Sequence, residues 1–434
     1  MLSLIQLLNQ FLWNGPMLLL LTFTHLFFTF RLGFIQKKVF KGMRWSIAPE
    51  PGQTKGFSPF SALSTTLAAT LGTGNIVGVS SAIAMGGVGA IFWCWITGIL
   101  GMATSYAECY LGVLFRQKKQ DGTYYGGPMY VLEKGLHSKN LARIYALCTI
   151  FASFGVGCIT QSSSITETAF SLWHLCPYWV SVVTAILVGM VLMGGAIAIR
   201  KVCEWLVPAM ALFYIGSCLL LLMKNHAYVP KAFGLIIENA FTPKAFSSGI
   251  AGGGIMLAAR YGIARGLFTN EAGLGSASIA AASSHTQSAH RQALVSMTAI
   301  FWDTVVMCLI TGLVITTYLL RTPSDVPSVN GLTSEAFSVL PCGELLLGIS
   351  LILFAFATLI GWSYFGQCAV NYLFPQNNGT VYTLIYLVMV FAGGIASLKF
   401  VWETADLLNA LLVLPNLISL FALHRMLPKK ETPT

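Results

Sequence analysis

The chain is 434 residues long, 56% hydrophobic and only 9% charged, with a mean hydropathy of +0.73 and a formal charge of +10. A water-soluble domain of this length lacks the polar surface to cover so much apolar side chain, which excludes a soluble enzyme or nucleic-acid-binding protein and leaves a polytopic membrane protein. Its ten cysteines stand singly in apolar runs without CxxC or CxxxH spacing, so they read as small core residues, not a disulfide frame or metal site.

The N-terminus has no basic region before its first apolar stretch and no small-residue cleavage site after it, so that stretch reads as a retained span. Apolar runs of about 20 residues predict eleven spans, near 14–34, 58–84, 87–114, 142–171, 178–198, 202–223, 250–283, 293–320, 342–373, 381–397 and 402–424. The segment 250–283 is the least hydropathic because it carries Arg260, Arg265 and Glu271. Counting it as a crossing places 18 Lys and Arg on one side (the clusters 31–55, 116–143 and 200–201, with Arg291, Arg425, Lys429 and Lys430) against five on the other. By the positive-inside rule the N-terminus is then outside and the C-terminus cytoplasmic; membrane lipid is an expected partner, and the basic loops 31–55 and 116–143 have fixing that orientation as their simplest role, with binding of anionic lipid or a protein partner as the alternative.

Setting the first span aside leaves two sets of five. An odd number per set sends the second set into the membrane from the opposite face, which is an inverted repeat. The expected organisation is one transmembrane domain over 1–434, with an extra helix at 14–34 and repeats at 58–223 and 250–424.

Each set opens with an interrupted span. In the first, Gly72-Thr73-Gly74-Asn75 places two glycines and two polar residues at membrane depth, where unpaired backbone groups are tolerated only if they line a cavity or bind something. The half-helix beginning near Asn75 presents the positive end of its dipole to a carboxylate, and the carbonyls behind it suit a cation. In the second, Thr269-Asn270-Glu271-Ala272-Gly273-Leu274-Gly275 interrupts residues 250–283. Phe268 is expected to wall a pocket there, with Thr269 and Asn270 facing it. Glu271 reads as a first-turn helix acid or a partner of Arg265, with contact to a ligand's amine as the other reading.

Gln161 lies mid-span, where an amide needs a partner, either another helix or a ligand. Thr358 and Trp362 are four residues apart and share a helix face. Glu108 and Asp303 also fall inside predicted spans, and their roles stay open between ion pairing and function; Glu108 sits near Arg116. His285 and His290 lie in a polar loop without metal-ligand support.

The run GTGNIVGVSSAIAMGGVGAIFWCWI from Gly72, followed by MATSYAE, by GGPMY at Gly126 to Tyr130 and by ARGLFTNEAGLGS at Ala264 to Ser276, closely resembles the alanine or glycine:cation symporter family. The resemblance covers nearly the whole chain. One departure is Gly86-Gly87-Val88-Gly89-Ala90, where the family commonly has GGPGA. The resemblance implies an all-α polytopic fold of about eleven transmembrane helices, with one extra N-terminal helix and a leucine-transporter-like five-plus-five inverted-repeat core. It implies a secondary transporter of the bacterial cytoplasmic membrane, not an enzyme, importing a small neutral amino acid such as alanine or glycine with sodium as coupling ion. Proton coupling, a glutamine or serine preference, or a channel are the alternatives, and no nucleic acid or obligate protein partner is expected. Carried onto this chain, it implies a substrate site at Thr73, Gly74, Asn75, Gln161, Phe268, Thr269, Asn270 and Trp362. It likewise implies a sodium site of the Thr358 hydroxyl with the carbonyls of Ala68 and Leu71.

Overall fold

The computed structural model describes residues 2–13, 15–48, 57–119, 122–242, 255–322, 331–375, 379–396 and 398–428. Among the sequence expectations, residues 14, 55, 244, 250–254, 397, 429 and 430 lie outside these. A helix at Leu2–Trp13 leads into α1 (Pro16–Arg31), and a short helix, α2 (Val39–Ile47), follows. The first interrupted span is α3 (Pro59–Thr70) and α4 (Val77–Gly86). After it come α5 (Ala90–Leu114), α6 (Lys139–Trp173), α7 (Pro177–Met193) and α8 (Gly195–Lys224). The second is α9 (Ile255–Asn270) and α10 (Ser276–Ala282), followed by α11 (Ala289–Arg321), α12 (Gly343–Leu373), α13 (Thr380–Ile395) and α14 (Leu398–Leu423).

Seven of these helices are long and apolar enough to cross a membrane, and α3 with α4, bent by 63°, makes an eighth. The shorter apolar α7 and α13 and the interrupted pair α9 and α10 complete the eleven spans that the apolar pattern predicts. What that pattern passes over are elements too short to cross: α2, the helices Val229–Phe241 and Leu332–Phe337, and a hairpin pairing β1 (Gln117–Lys118) with β2 (Tyr124–Tyr125).

Local chemistry marks the boundaries. The Ser58 hydroxyl accepts from the Ser61 amide at 3.0 Å, and Pro59 fills the first helical position of α3, where a missing N–H costs nothing. Pro177 does the same for α7.

Packing sorts the helices into two groups. The first two spans of each set, α3/α4 with α5 and α9/α10 with α11, pack on one another; the third and fourth, α6 and α7 with α12 and α13, form the other group. The fifth spans lie alongside, α8 against α3 and α12, and α14 against α6. Large apolar side chains such as Leu19, Phe23, Met190, Met193, Trp205 and Leu212 stay exposed on the outside, as a lipid-facing surface requires.

Within the first group α9 lies against α5 through a small-residue face, Ala258, Gly262 and Gly266, at four-residue spacing. A side chain on Gly262 would strike the Ala90 carbonyl, and one on Gly266 would lie 2.9 Å from Thr97 Cβ and 3.0 Å from the Cys94 carbonyl oxygen. Gly266→Leu is therefore expected to destabilise the protein by about 1–3 kcal/mol or more, read as a lower thermal unfolding midpoint in detergent. Gly216→Leu, at a glycine with nothing within 4 Å of an added Cβ, leaves the midpoint in place. Equal midpoints for the two variants would exclude this packing.

Candidate functional site

The first interruption is narrow. Helix α3 ends at Thr70, Gly72 is extended, Thr73–Asn75 make a single tight turn, and α4 starts at Val77. Asn75 organises this turn from behind. Its Oδ1 accepts from the Gly72 amide at 3.1 Å, while its Nδ2 donates to the Asp303 carbonyl at 3.0 Å and to Asp303 Oδ1 at 2.8 Å. Asp303 lies on a π turn, Phe301–Cys308, within α11, and its Oδ2 accepts from the Thr304 hydroxyl at 2.7 Å.

The second interruption begins later than the sequence suggests: Thr269 and Asn270 still belong to α9, and the unwound stretch is 271–275. Glu271, Gly273 and Gly275 all adopt left-handed backbone, at φ of 52°, 100° and 84°, which glycine takes freely and glutamate takes only when held. Asn270 Oδ1 accepts from the Ala272 amide at 2.9 Å, closing the turn. Glu108 of α5 accepts at Oε1 from the Gly273 amide at 2.8 Å and from Asn416 Nδ2 of α14 at 2.7 Å. Asn416 also donates to the Gly273 carbonyl, and the Tyr145 hydroxyl donates to the Leu274 carbonyl.

The two interruptions are thus held alike. A carboxylate on the second span of the second set, Asp303, supports the first interruption, and one on the second span of the first set, Glu108, supports the second. The sequence reading placed Glu108 near Arg116 and left Asp303 without a partner; folding turns both toward unwound backbone.

Where the interruptions meet, a small chamber of 20 Å³ is lined by Thr73 and Gly74 from the first and Phe268, Thr269 and Glu271 from the second, with Gln161 and Val156 of α6 and Thr358 of α12. Two of its polar atoms, Thr73 Oγ1 and Gln161 Oε1, are buried with no hydrogen-bond partner. The amide nitrogen of Gln161 donates to the Val156 carbonyl at 3.2 Å, and the whole amide stands beside the first interruption, its oxygen 3.8 Å and its nitrogen 3.9 Å from the place of a Gly72 Cβ. Glycine permits the close approach: an added Cβ on Gly74 would lie 3.4 Å from Thr269 Oγ1, and one on Gly72 would lie 3.1 Å from Thr358 Oγ1.

The Thr358 hydroxyl is shared between the Phe354 carbonyl at 3.0 Å and the Leu71 carbonyl at 3.3 Å. The Ala68 carbonyl carbon lies on the same side of α12, 3.1 Å from the place of a Gly361 Cβ. An oxygen-only set of one hydroxyl and helix-end carbonyls has the chemistry that suits a hard cation.

Of the residues anticipated for the ligand, Thr73, Gly74, Gln161, Phe268 and Thr269 line the chamber, and Asn75, Asn270 and Trp362 do not. The Asn75 and Asn270 side chains serve the two turns. Trp362 is fully buried behind the chamber and donates from Nε1 to Glu271 Oε1 at 3.2 Å, while the Ser276 hydroxyl donates to Glu271 Oε2 at 2.6 Å. The sequence offers Glu271 as a first-turn helix acid, an Arg265 partner or a contact for a ligand's amine; in the fold it lies five residues before α10, whose first turn holds no acid, and it lines the chamber.

Two larger cavities flank the chamber. One of 520 Å³ reaches Thr73 and is lined by Glu167, Arg265 and Glu344 among others; the Arg265 guanidinium stands 5.7 Å over the Phe268 ring. The other, 940 Å³, lies among Tyr124, Arg200, His285, Tyr364 and Gln367. In the wall of this cavity the Phe57 amide donates to His285 Nδ1 at 3.0 Å, the His285 amide donates to the Phe57 carbonyl at 2.7 Å, and the Tyr364 hydroxyl donates to Ser283 at 2.6 Å. Partial burial, with cationic Arg116, Lys118 and Arg200 nearby, holds His285 below the usual histidine range, so its Nδ1 is free to accept. Among the described residues no cluster of His, Cys, Asp or Glu suits a metal ion, and His290 instead shares a hydrogen bond of 2.6 Å with Tyr106.

Known proteins supply the context for this geometry. The family model described as "Sodium:alanine symporter family" matches residues 1–431. The sodium/alanine symporter AgcS of Methanococcus maripaludis is 42% identical over 431 residues, covering 97% of this chain and 94% of its own. A probable sodium/glutamine symporter of Bacillus subtilis, GlnT, is 34% identical, covering 96% and 87%. Among solved structures, MhsT in complex with L-phenylalanine superposes with a TM-score of 0.60 at 15% identity, over 85% of this chain and 89% of that one. At that identity the match speaks to the fold, which is the leucine-transporter-like five-plus-five core.

The carboxylate supports predict a stability effect separable from the chamber. Asn75→Ala and Asn416→Ala each remove a hydrogen bond to a buried carboxylate and are expected to cost about 1.5–3 kcal/mol, measured as a lower unfolding midpoint in detergent. Wild-type midpoints in both variants would show that the interruptions hold themselves.

Proposed function

The chain belongs to the sodium:alanine symporter family and is a sodium-coupled amino acid symporter of the membrane, and from that premise we propose that it imports a small neutral amino acid, alanine or glycine, by alternating access. The observation that carries the substrate reading is the pair of buried, unpartnered oxygens, Thr73 Oγ1 and Gln161 Oε1, in a chamber built from both interruptions. A zwitterion fits this chemistry. Its carboxylate takes the Thr73 and Gly74 amides of the turn before α4, its ammonium takes the oxygens of Gln161 and Thr73, and its side chain rests on Phe268.

The smallness of the chamber favours a short side chain over glutamine. A volume of 20 Å³ has room for about one water molecule, so even alanine requires the wall to yield. Thr269 contributes by bounding Gly74. Asn75, Asn270 and Trp362 act through the parts they hold: the Gly72 amide, the second turn and the Glu271 carboxylate.

Sodium is placed at the Thr358 hydroxyl with the carbonyls of Leu71 and Ala68. Because Gly72, which adjoins Leu71, also borders the substrate, each ligand orders backbone that the other needs, and this is the source of coupling. We read residues 58–223 and 250–424 as the two inverted repeats and 14–34 as a helix outside them. The 18 to 5 split of basic residues puts the N-terminus outside and the C-terminus in the cytoplasm. The 520 Å³ cavity is then the outer vestibule and the 940 Å³ cavity the inner one. With a membrane potential of about 100 mV, one positive charge moving inward supplies about 2.3 kcal/mol.

Two variants test the placement. Gly74→Leu is expected to abolish alanine binding while leaving membrane insertion intact, measured by isothermal titration of purified protein; wild-type affinity would sink the substrate site. Thr358→Val is expected to cut sodium stimulation of uptake in proteoliposomes at least tenfold with expression unchanged, and undiminished stimulation would move the ion elsewhere. Competition of labelled alanine uptake by the neutral amino acids, in sodium and in choline buffer, decides between alanine and glutamine and between sodium and proton.

A further inference from the structure

The chain turns sharply where α1 ends. Gly33 and Phe34 take left-handed backbone, at φ of 64° and 62°, and the turn Ile35–Lys38 runs directly into α2. Since α1 completes a membrane crossing, α2 begins at the membrane surface. Its two faces differ in kind.

One face is pinned to α11. Val39 and Gly42 are buried, a side chain on Gly42 would collide with the Leu294 carbonyl, and the Arg291 guanidinium donates to the Ala48 carbonyl at 2.6 Å. The other face carries Lys37, Phe40, Lys41, Arg44 and Ile47, spaced three or four residues apart and therefore in one stripe. Phe40 is 72% and Ile47 77% exposed. No acidic residue lies anywhere from Arg31 to Ala48.

An exposed stripe that alternates bulky apolar side chains with long cations, and has no carboxylate to neutralise them, is the pattern of a helix lying at a lipid interface. Apolar groups enter the acyl boundary while ammonium and guanidinium groups reach phosphates at headgroup level. We propose that this stripe of α2 is a binding surface for anionic phospholipid headgroups of the adjoining leaflet. Charge complementarity selects the lipid, and the pinned face transmits it: α11, against which α2 is locked, carries the Asp303 that supports the first interruption. Lipid on the stripe therefore fixes one end of α11 relative to the bilayer.

The test uses purified full-length protein and native mass spectrometry with phosphatidylglycerol or phosphatidylcholine as the added lipid. Wild type is expected to retain phosphatidylglycerol in preference to phosphatidylcholine. The single variant K41Q weakens that retention about fivefold, and K37Q/K41Q/R44Q weakens it by roughly two orders of magnitude. Added salt weakens it in the wild type, a measurement that needs no variant to fold. Equal retention of the two lipids by wild type, or undiminished phosphatidylglycerol retention in the triple variant, overturns the proposal. A co-purifying protein released by the same substitutions, with lipid retention unchanged, overturns it in favour of a protein partner. Because lipid retention is read without transport, its failure leaves the proposed substrate site untouched.

Discussion

A helix that unwinds at membrane depth must find partners for its freed backbone inside the protein, because hydrocarbon offers none. Here that requirement is met across the repeats. Asp303 reaches the first interruption through Asn75, and Glu108 reaches the second through the Gly273 amide and Asn416. Buried carboxylates are costly on their own, and each is accommodated because fixed N–H and O–H groups point at it. The chamber, the cation set and the glycine approaches all presuppose these supports.

The supports differ in how fully their polar atoms are engaged. Residues whose polar atoms are all engaged, Asn75 foremost, give the chamber its shape. Thr73 Oγ1 and Gln161 Oε1 are buried without a partner beside the chamber, as are Glu108 Oε2 and Asn270 Nδ2 at the second interruption. The arrangement is economical in space as well: the Gly72 and Gly74 positions bring backbone against Thr358 and Thr269 at distances that a larger residue would block.

Division of the helices into two groups follows from the same logic. The interrupted spans and their carboxylate-bearing neighbours pack together, so each interruption and the helix that supports it belong to one body. The opposing wall, with Gln161 and Thr358, belongs to the other body. The chamber therefore lies between two groups of helices, and the hydrogen bonds that hold the interruptions from Asp303 and Asn75 lie within the first. In the wall of the larger cavity the Phe57–His285 pair joins the entry to α3 with the chain that follows α10.

Much of this was legible in the chain itself. Apolar runs located the long apolar helices of the described residues, because hydrocarbon thickness imposes a length that no tertiary contact relaxes. The two glycine-rich interruptions stood out for the same reason, since polar and flexible residues are conspicuous in an apolar run. Short surface helices such as α2 escaped notice, having neither the length nor the hydropathy of a crossing. What tertiary structure alone decided was the direction of side chains around the interruptions. Asn75 and Thr73 are two residues apart in a polar tetrapeptide, yet one turns back to Asp303 and the other toward the chamber. Asp303 and Glu108 look alike in a hydropathy plot as isolated charges in a span, and only the packing of α11 on the first interruption and α5 on the second shows what each one holds. Sequence marks where a membrane helix must break, because that is a matter of local composition. Which groups receive the broken ends depends on neighbours 165 to 308 residues away, brought within 3 Å by the fold.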